Sequence, residues 1–190
     1  SSSHWNVGAW TIGSTVDDID FIDTVINLID DKAVINKNRI YSSGMSNGGF
    51  MSYNLACNLS SRIAAIVSVT GSFSTEMLAD CNPEHPTPVM QIHGALDPTV
   101  PFDGNSALGM VPIETTLEFW SDYNLCNPVP DLQIIDFFDL GISVDHQTYK
   151  DCQNDVRVEL FKSSGMAHTW PIESLYGIEA TREIWSFINQ

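Results

Sequence analysis

The chain is acidic and has a length that suits a single domain. Its 190 residues include 24 Asp and Glu against 8 Lys and Arg, which gives a formal charge of −16. Such a charge repels nucleic acid phosphates and anionic lipid head groups, so these partners are excluded. With 43% hydrophobic residues and no apolar run near the ~20 residues that span a bilayer, we expect one globular domain over residues 1–190 and no membrane segment.

Helical and extended patterns alternate along the chain. The predicted elements, in order, are a helix from 14 to 29, a strand at 39–43, a helix at 50–59, strands at 63–69 and 89–93, a helix at 112–123, a hairpin of strands at 132–138 and 143–149, a strand at 156–161 and a helix at 178–188. Residues 71–88 are predicted to form a loop, and the last helix is expected to bury Ile184, Trp185 and Ile188. Apolar strands that alternate with helices predict an α/β fold with a mostly parallel sheet and flanking helices.

The segment Gly44-Met-Ser-Asn-Gly48 lies between a predicted strand and a predicted helix. A serine at such a sharp turn projects its hydroxyl clear of both elements, while the following helix directs free N–H groups at a developing anion. We expect a side chain at 44 or 48 to collide with neighbouring backbone, and Gly49 to let the helix approach the sheet. Because Gly-x-Ser-x-Gly occurs by chance in about one such chain in twenty, an ordinary glycine-rich turn remains the alternative.

Two residues further along the chain, Asp97 and His168, complete a catalytic hypothesis. A serine nucleophile needs a base, an acid that orients the base, and donors for the oxyanion. Asp97 follows the strand that ends at His93, and His168 follows the strand that ends at Phe161. The chain order Ser46, Asp97, His168 and the position of each residue after a strand fit a Ser-His-Asp triad, with the Asn47 N–H as an oxyanion donor.

Other histidines and acids compete for these roles. The alternatives are His4, His85, His93 and His146 as bases, and Asp80 and Asp103 as acids. His93 is better explained as a partly buried structural histidine, and Asp103 as part of an Asp-Gly turn. Trp170 is expected either to line a substrate groove or to pack under the His168 loop. The triad chemistry requires neither a cofactor nor a metal.

The four cysteines are Cys57, Cys81, Cys126 and Cys152. They lack Cys-x-x-Cys spacing, so a zinc site or a redox dithiol is not indicated, whereas an even number permits two disulfides in three connectivities. We favour sequential pairing, Cys57 with Cys81 and Cys126 with Cys152. Such bonds persist outside the reducing cytosol and predict a secreted protein, extracellular or periplasmic; four free thiols in a cytosolic protein are the alternative.

Together, several motifs carry a resemblance to a known family. They are Asp17-Asp18, Gly44–Gly49, the segment from His93 to Gly104, and His168-Thr-Trp-Pro171. Over essentially the whole chain, they resemble the polyhydroxybutyrate depolymerase and feruloyl or acetylxylan esterase group of α/β-hydrolases. The resemblance implies that Ser46 is the nucleophile, Asp97 the acid and His168 the base of a secreted esterase acting on a neutral polyester or an esterified polysaccharide. Gly165-Met-Ala167 departs mildly from the family's glycine-rich approach to the histidine.

Only 45 residues precede Ser46, which leaves no room for the strands that come before the nucleophile in this fold. We therefore expect a C-terminal portion of an α/β-hydrolase domain that lacks its N-terminal strands, with the strand at Arg39 as an exposed edge and the missing segment as a possible separate piece. The second oxyanion donor has no source in this sequence. A serine peptidase on the same fold and a noncatalytic binding remnant stay open as alternatives to the esterase.

Overall fold

The computed structural model describes residues 3–11 and 13–189. The helices are α1 (Asp18–Asp30), α2 (Asn47–Asn58), α3 (Thr75–Asp80), α4 (Ile113–Tyr123), α5 (Glu173–Tyr176) and α6 (Ala180–Ile188). The strands are β1 (Tyr41–Met45), β2 (Ala65–Val69), β3 (Val89–Gly94), β4 (Asp131–Phe137), β5 (Ile142–Tyr149) and β6 (Val158–Ser163). The predicted α/β class is confirmed.

The six strands form one mixed sheet in the order β1-β2-β3-β6-β5-β4. β1, β2, β3 and β6 are parallel, while β5 runs antiparallel to β6 and forms the predicted hairpin with β4. β1 lies at one edge of the sheet, as expected, and pairs with β2 from Tyr41 opposite Ala65 to Met45 opposite Val69. The carboxyl ends of the four parallel strands therefore meet at one edge of the sheet, where α/β proteins place their sites.

Hydrophobic clusters cover both faces of the sheet. On one face, Phe50 and Tyr53 of α2 pack with Trp120 of α4, and none of the three is exposed. On the other face, Ile184 and Phe187 of α6 pack against the central strands. Full burial of each large apolar side chain contributes about 1.5–3 kcal/mol, so the two layers of helices fix the position of the sheet between them.

Two predicted helical features differ from the structure. α1 begins at Asp18, about one turn later than predicted, because the Asp17 carboxylate caps it by accepting the Asp20 N–H at 2.9 Å; Val16 is therefore outside the helix and 59% exposed. In α6, the expected burial of Trp185 is wrong. Trp185 is 67% exposed and Phe187 is buried instead, since residues 184 and 187 share a helix face from which 185 is rotated by ~100°.

Two short α-helices of the described residues lie where the sequence predicted none. α3 interrupts the predicted loop at 71–88, and its N-cap Ser74 accepts the Met77 N–H at 3.1 Å. A serine followed by a charged first turn is a helix-start pattern that was present in the sequence. α5 is a single turn after the His168 loop, too short to produce a periodic signal.

Two disulfides link loops to helix ends. Cys57 at the end of α2 is bonded to Cys81 just after α3, and Cys126 after α4 is bonded to Cys152 after β5. The chain-entropy account assigns each such loop about 3–4 kcal/mol of stabilisation. Within residues 3–11 and 13–189, no helix combines the length and apolar character that crossing a bilayer requires.

Candidate active site

Ser46 stands on a strained turn between β1 and α2. Its backbone adopts φ 55° and ψ −120°, a conformation that L-residues rarely occupy and that costs about 1–3 kcal/mol. The turn is held because the Ser46 N–H donates to the Val69 carbonyl at 2.8 Å, while the Ser46 carbonyl accepts the Gly49 and Phe50 N–H groups of the new helix. The strain projects the serine hydroxyl from the carboxyl edge of the sheet.

Close backbone packing at this turn explains two of its three glycines. A Cβ on Gly44 would lie 2.5 Å from the Gly48 carbonyl, and one on Gly49 would lie 2.6 Å from Ser68 Oγ, so the predicted collision at 44 and the predicted close approach at Gly49 are confirmed. The prediction for Gly48 is wrong, since a Cβ there meets nothing within 4 Å. Gly48 is the backbone against which Gly44 packs, and its own Cβ direction is open.

Asp97 lies in a tight turn just after β3. Its side chain is buried, and Oδ1 accepts the Thr99 N–H at 2.8 Å and the Val100 N–H at 2.9 Å. Two backbone donors on one oxygen stabilise the carboxylate and fix its plane. The second oxygen, Oδ2, is thereby left facing His168.

His168 comes from the loop after β6. The buried side chain of Met166 anchors this loop, and the Met166 carbonyl accepts the Leu96 N–H at 3.0 Å. The loops that carry Asp97 and His168 are therefore bonded directly to each other. Gly94 lies at the same contact, where an added Cβ would be only 2.1 Å from the Met166 carbonyl oxygen.

The three side chains form one hydrogen-bonded row. His168 Nδ1 is 2.8 Å from Asp97 Oδ2, and His168 Nε2 is 2.9 Å from Ser46 Oγ. Because the carboxylate can only accept, Nδ1–H donates to Asp97, which leaves the Nε2 lone pair to accept the serine proton. His168 is half-buried, whereas the Asp97 side chain is enclosed, so solvent reaches the imidazole but not the carboxylate.

Asn47 joins the Ser46 turn to the amino-terminal segment. Its side-chain Oδ1 accepts the Trp5 N–H at 2.7 Å, and its Nδ2 donates to the Trp5 carbonyl at 3.1 Å. Its backbone N–H is at the first position of α2, where a helix has no internal acceptor for it. The backbone of Asn47 thus suits an oxyanion donor, and its side chain ties down a second segment beside Ser46, a contact that no sequence signal indicated.

The competing histidines and acids have other surroundings. His146 stacks on Phe161 with ring centroids 4.0 Å apart, and both nitrogens of His85 lie 2.8 Å from carbonyl oxygens. His93 is completely buried beside the Asp97 turn, and Asp103 is exposed in the turn from 101 to 104. His4 and Asp80 are exposed. None of them joins the row that contains Ser46.

Trp170 follows His168 and is half-buried against the cluster under α6. Both of its expected roles, lining a substrate groove and packing under the His168 loop, stay predictions. In the part of the chain that the structure describes, no three His, Cys, Asp or Glu side chains cluster in a way that could hold a metal ion.

A mostly parallel sheet with helices on both faces and a Ser-His-Asp row at its carboxyl edge defines an α/β-hydrolase. Residues 16–119, more than half of the chain, match the phospholipase/carboxylesterase family. The chain belongs to this family.

Comparisons with individual proteins agree with this assignment. The chain is 26% identical over 173 residues to feruloyl esterase B of Piromyces equi, covering 86% of this chain and 31% of that protein. It is 30% identical over 93 residues to feruloyl esterase C of Emericella nidulans, covering 48% and 33%. The chain thus spans about a third of the length of these curated relatives.

Solved structures show the same fold. The acetyl xylan esterase from Aspergillus awamori superposes with a TM-score of 0.62 at 12% identity, covering 100% of this chain and 74% of that one. The esterase PE8 superposes with a TM-score of 0.55 at 20% identity, covering 90% and 58%. Both identities are low, so these similarities concern the fold alone.

Proposed function

We propose that residues 1–190 form one α/β-hydrolase catalytic domain of a secreted serine esterase that cleaves ester bonds of an esterified polysaccharide. The observation that carries the proposal is the row Ser46–His168–Asp97, with Nε2 of the imidazole 2.9 Å from the serine oxygen. That distance lies within the reach of direct proton transfer. The strained turn exposes the Ser46 hydroxyl, and the buried Asp97 carboxylate orients His168. An activated serine hydroxyl requires both.

The reaction proceeds through an acyl-enzyme. Ser46 Oγ attacks the ester carbonyl carbon while His168 Nε2 takes its proton, and Asp97 stabilises the imidazolium through Nδ1–H. The oxyanion accepts the Asn47 N–H at the positive end of α2, a helix of 12 residues. When the tetrahedral intermediate collapses, the bond to the alcohol oxygen breaks and His168 returns the proton to that oxygen. Water then hydrolyses the acyl-enzyme by the same steps.

The proposed substrate class is supported by the net charge of the chain and by its relatives, and the proposed secretion by the disulfides and the same relatives. A net charge of −16 disfavours polyanionic substrates, and relatives named as feruloyl esterases support feruloyl esters of a neutral polysaccharide. Two disulfides and feruloyl esterase relatives from fungi support secretion, because such bonds are stable in oxidising compartments.

Active-site labelling tests the proposal. A fluorophosphonate should label the purified chain once, at Ser46, and His168→Ala should abolish the labelling. Ser42→Ala is the control, because its hydroxyl is bonded to Ser52 Oγ at 2.9 Å and lies outside the row. A folded protein that is not labelled would be the noncatalytic remnant and would refute the proposal.

Substrate assays separate the remaining alternatives. We expect hydrolysis of p-nitrophenyl butyrate and of feruloylated or acetylated oligosaccharides, without release of p-nitroaniline from an aminoacyl-p-nitroanilide. Anilide cleavage would identify a serine peptidase. Release of hydroxybutyrate from polyhydroxybutyrate, with no action on the oligosaccharides, would replace the polysaccharide by a polyester substrate.

A further inference from the structure

A chain of buried polar side chains runs from α2 to the Asp97 turn. Tyr53 of α2 donates its hydroxyl hydrogen to Gln91 Oε1 at 2.8 Å. Gln91 Nε2 lies 2.8 Å from His93 Nδ1, and His93 Nε2 lies 2.8 Å from the Val100 carbonyl oxygen. Tyr53, Gln91 and His93 have no exposed surface. Polar groups in such a setting are strongly destabilising unless each has a partner.

The donor and the acceptor of each hydrogen bond in this series of side chains can be assigned. Gln91 Nε2 also donates to the Gly71 carbonyl at 2.9 Å, which fixes the orientation of the amide. His93 Nδ1 must therefore accept the other amide hydrogen, and its Nε2–H donates to Val100. Burial lowers the pKa of His93 and raises that of the Tyr53 hydroxyl, so the imidazole stays neutral and the phenol keeps its proton.

This series of hydrogen bonds ends at Val100, the residue that holds the Asp97 carboxylate. Val100 is fixed through both backbone groups, since its N–H donates to Asp97 Oδ1 at 2.9 Å and its carbonyl accepts His93 Nε2–H. His93 Nε2 is also 3.7 Å from Asp97 Oδ2, and the edge of Phe102 packs on the imidazole with ring centroids 5.9 Å apart. Loss of the bond between His93 and Val100 would therefore free the backbone segment that donates to the Asp97 carboxylate.

We propose that His93 and Gln91 are positioning residues that hold the Asp97 turn in the orientation from which Oδ2 accepts the His168 Nδ1–H. This inference rests on the esterase function proposed above and extends it. Tyr53 belongs to the helix that starts directly after Ser46, so the polar chain joins the nucleophile's helix to the acid's turn by a route independent of His168. The structural histidine predicted at 93 thereby acquires a part in the reaction.

Two substitutions at 93 separate its two hydrogen bonds. His93→Gln places an amide near the Nε2 position and can still donate to Val100, whereas His93→Asn can replace only the Nδ1 acceptor. We expect His93→Gln to keep most of the kcat. We expect His93→Asn to lower kcat about 10- to 100-fold, the range that loss of a partner orienting a catalytic ligand produces at metal sites, with little change in KM. Equal kcat values for the two variants would overturn the proposal.

A conservative pair controls for loss of stability. Tyr53→Phe removes the hydroxyl that starts the chain, and Tyr123→Phe removes one that donates to the Pro83 carbonyl, away from the Asp97 turn. We expect both to shift the urea midpoint and only Tyr53→Phe to lower kcat. In an Asp97→Ala background, His93→Asn should cause no further loss, since its effect acts through the acid. Additive losses would show a purely structural role and contradict the proposal.

A measurement independent of turnover distinguishes this proposal from the esterase assignment. The proton shared by His168 Nδ1 and Asp97 should give a low-field proton NMR resonance in the wild-type protein, whether or not a fluorophosphonate labels Ser46. We expect the resonance to shift or broaden in His93→Asn and to persist in His93→Gln. An unchanged resonance in His93→Asn would refute the positioning role, even in an active esterase. Absence of labelling together with the expected NMR change would refute only the esterase function.

Discussion

Gly94 is the position at which a single methyl group should separate the base from the acid. Gly94→Ala places a Cβ 2.1 Å from the Met166 carbonyl oxygen and 2.8 Å from the Ala167 carbonyl oxygen, both in the backbone that leads to His168. To reach even 3.0 Å, a separation below which real Cβ atoms essentially never occur, the two segments must move apart by about 0.9 Å. Backbone cannot yield as the end of a flexible side chain does, so the displacement passes to the His168 loop.

The size of the effect follows from this displacement. A shift of about 1 Å in a catalytic group can cost about 10²-fold in rate, equivalent to about 2.7 kcal/mol of transition-state stabilisation. The same shift strains the hydrogen bond from Leu96 N–H to the Met166 carbonyl, now 3.0 Å, and overpacking of this kind destabilises by about 1–3 kcal/mol. We therefore expect kcat to fall about 100-fold while the protein remains folded.

The assay compares kcat and the urea midpoint of Gly94→Ala with those of a control. Gly141→Ala is suitable because Gly141 has φ +66° in the β4–β5 turn and a Cβ there meets nothing within 4 Å. It should lose about 1–2 kcal/mol to left-handed strain and keep its kcat. If Gly94→Ala retained full kcat with p-nitrophenyl butyrate, the reasoning that links this contact to the His168 position would be wrong.

Three further changes test the site and the scaffold. Asp97→Asn should lower kcat about 10⁴-fold, because an amide there favours the wrong tautomer of the base, and a loss below tenfold would contradict its role. Burial lowers the pKa of His93, so the folded protein favours the neutral imidazole. The unfolding free energy that this preference contributes is complete above the unfolded pKa of ~6.5 and decreases as the pH falls below that value. His93→Gln should remove up to ~1.36 kcal/mol per pH unit from this decrease, and identical urea midpoint profiles between pH 7 and pH 5 would show that His93 does not contribute. Replacement of both Cys126 and Cys152 by Ser should reduce the unfolding free energy by about 3–4 kcal/mol, and an unchanged urea midpoint would contradict that estimate.

The sequence predicted the parts of the site that depend on local order. Ser46, Asp97 and His168 each follow a predicted strand, and the carboxyl ends of parallel strands meet at one edge, so their convergence follows from strand positions alone. Sequence could not show that Gly94 contacts the Met166 backbone, because that approach depends on how two separate loops are stacked. The sequence likewise shows Gln91 only as a polar residue within a buried strand, without its partners Tyr53 and His93.

Side-chain direction was the other limit. In α6, the sequence pattern allows either Trp185 or Phe187 to face the core. The tertiary contacts of Phe187 decide that Trp185 faces outward. At the nucleophile turn, three neighbouring glycines looked equivalent. The structure shows that Gly44 and Gly49 are needed for contact, whereas Gly48 has open space at its Cβ, a difference that local sequence does not contain.

The edge position of β1 has a consequence for how the enzyme would lose activity. This strand leads directly into Ser46 yet has a ladder partner on one side only among the described residues, namely β2. Amides with fewer cross-strand bonds exchange with solvent through local openings that cost less than global unfolding. Deuterium uptake should therefore be faster in Tyr41–Met45 than in β3. Mild denaturant should abolish the reactivity of Ser46 before the central strands unfold.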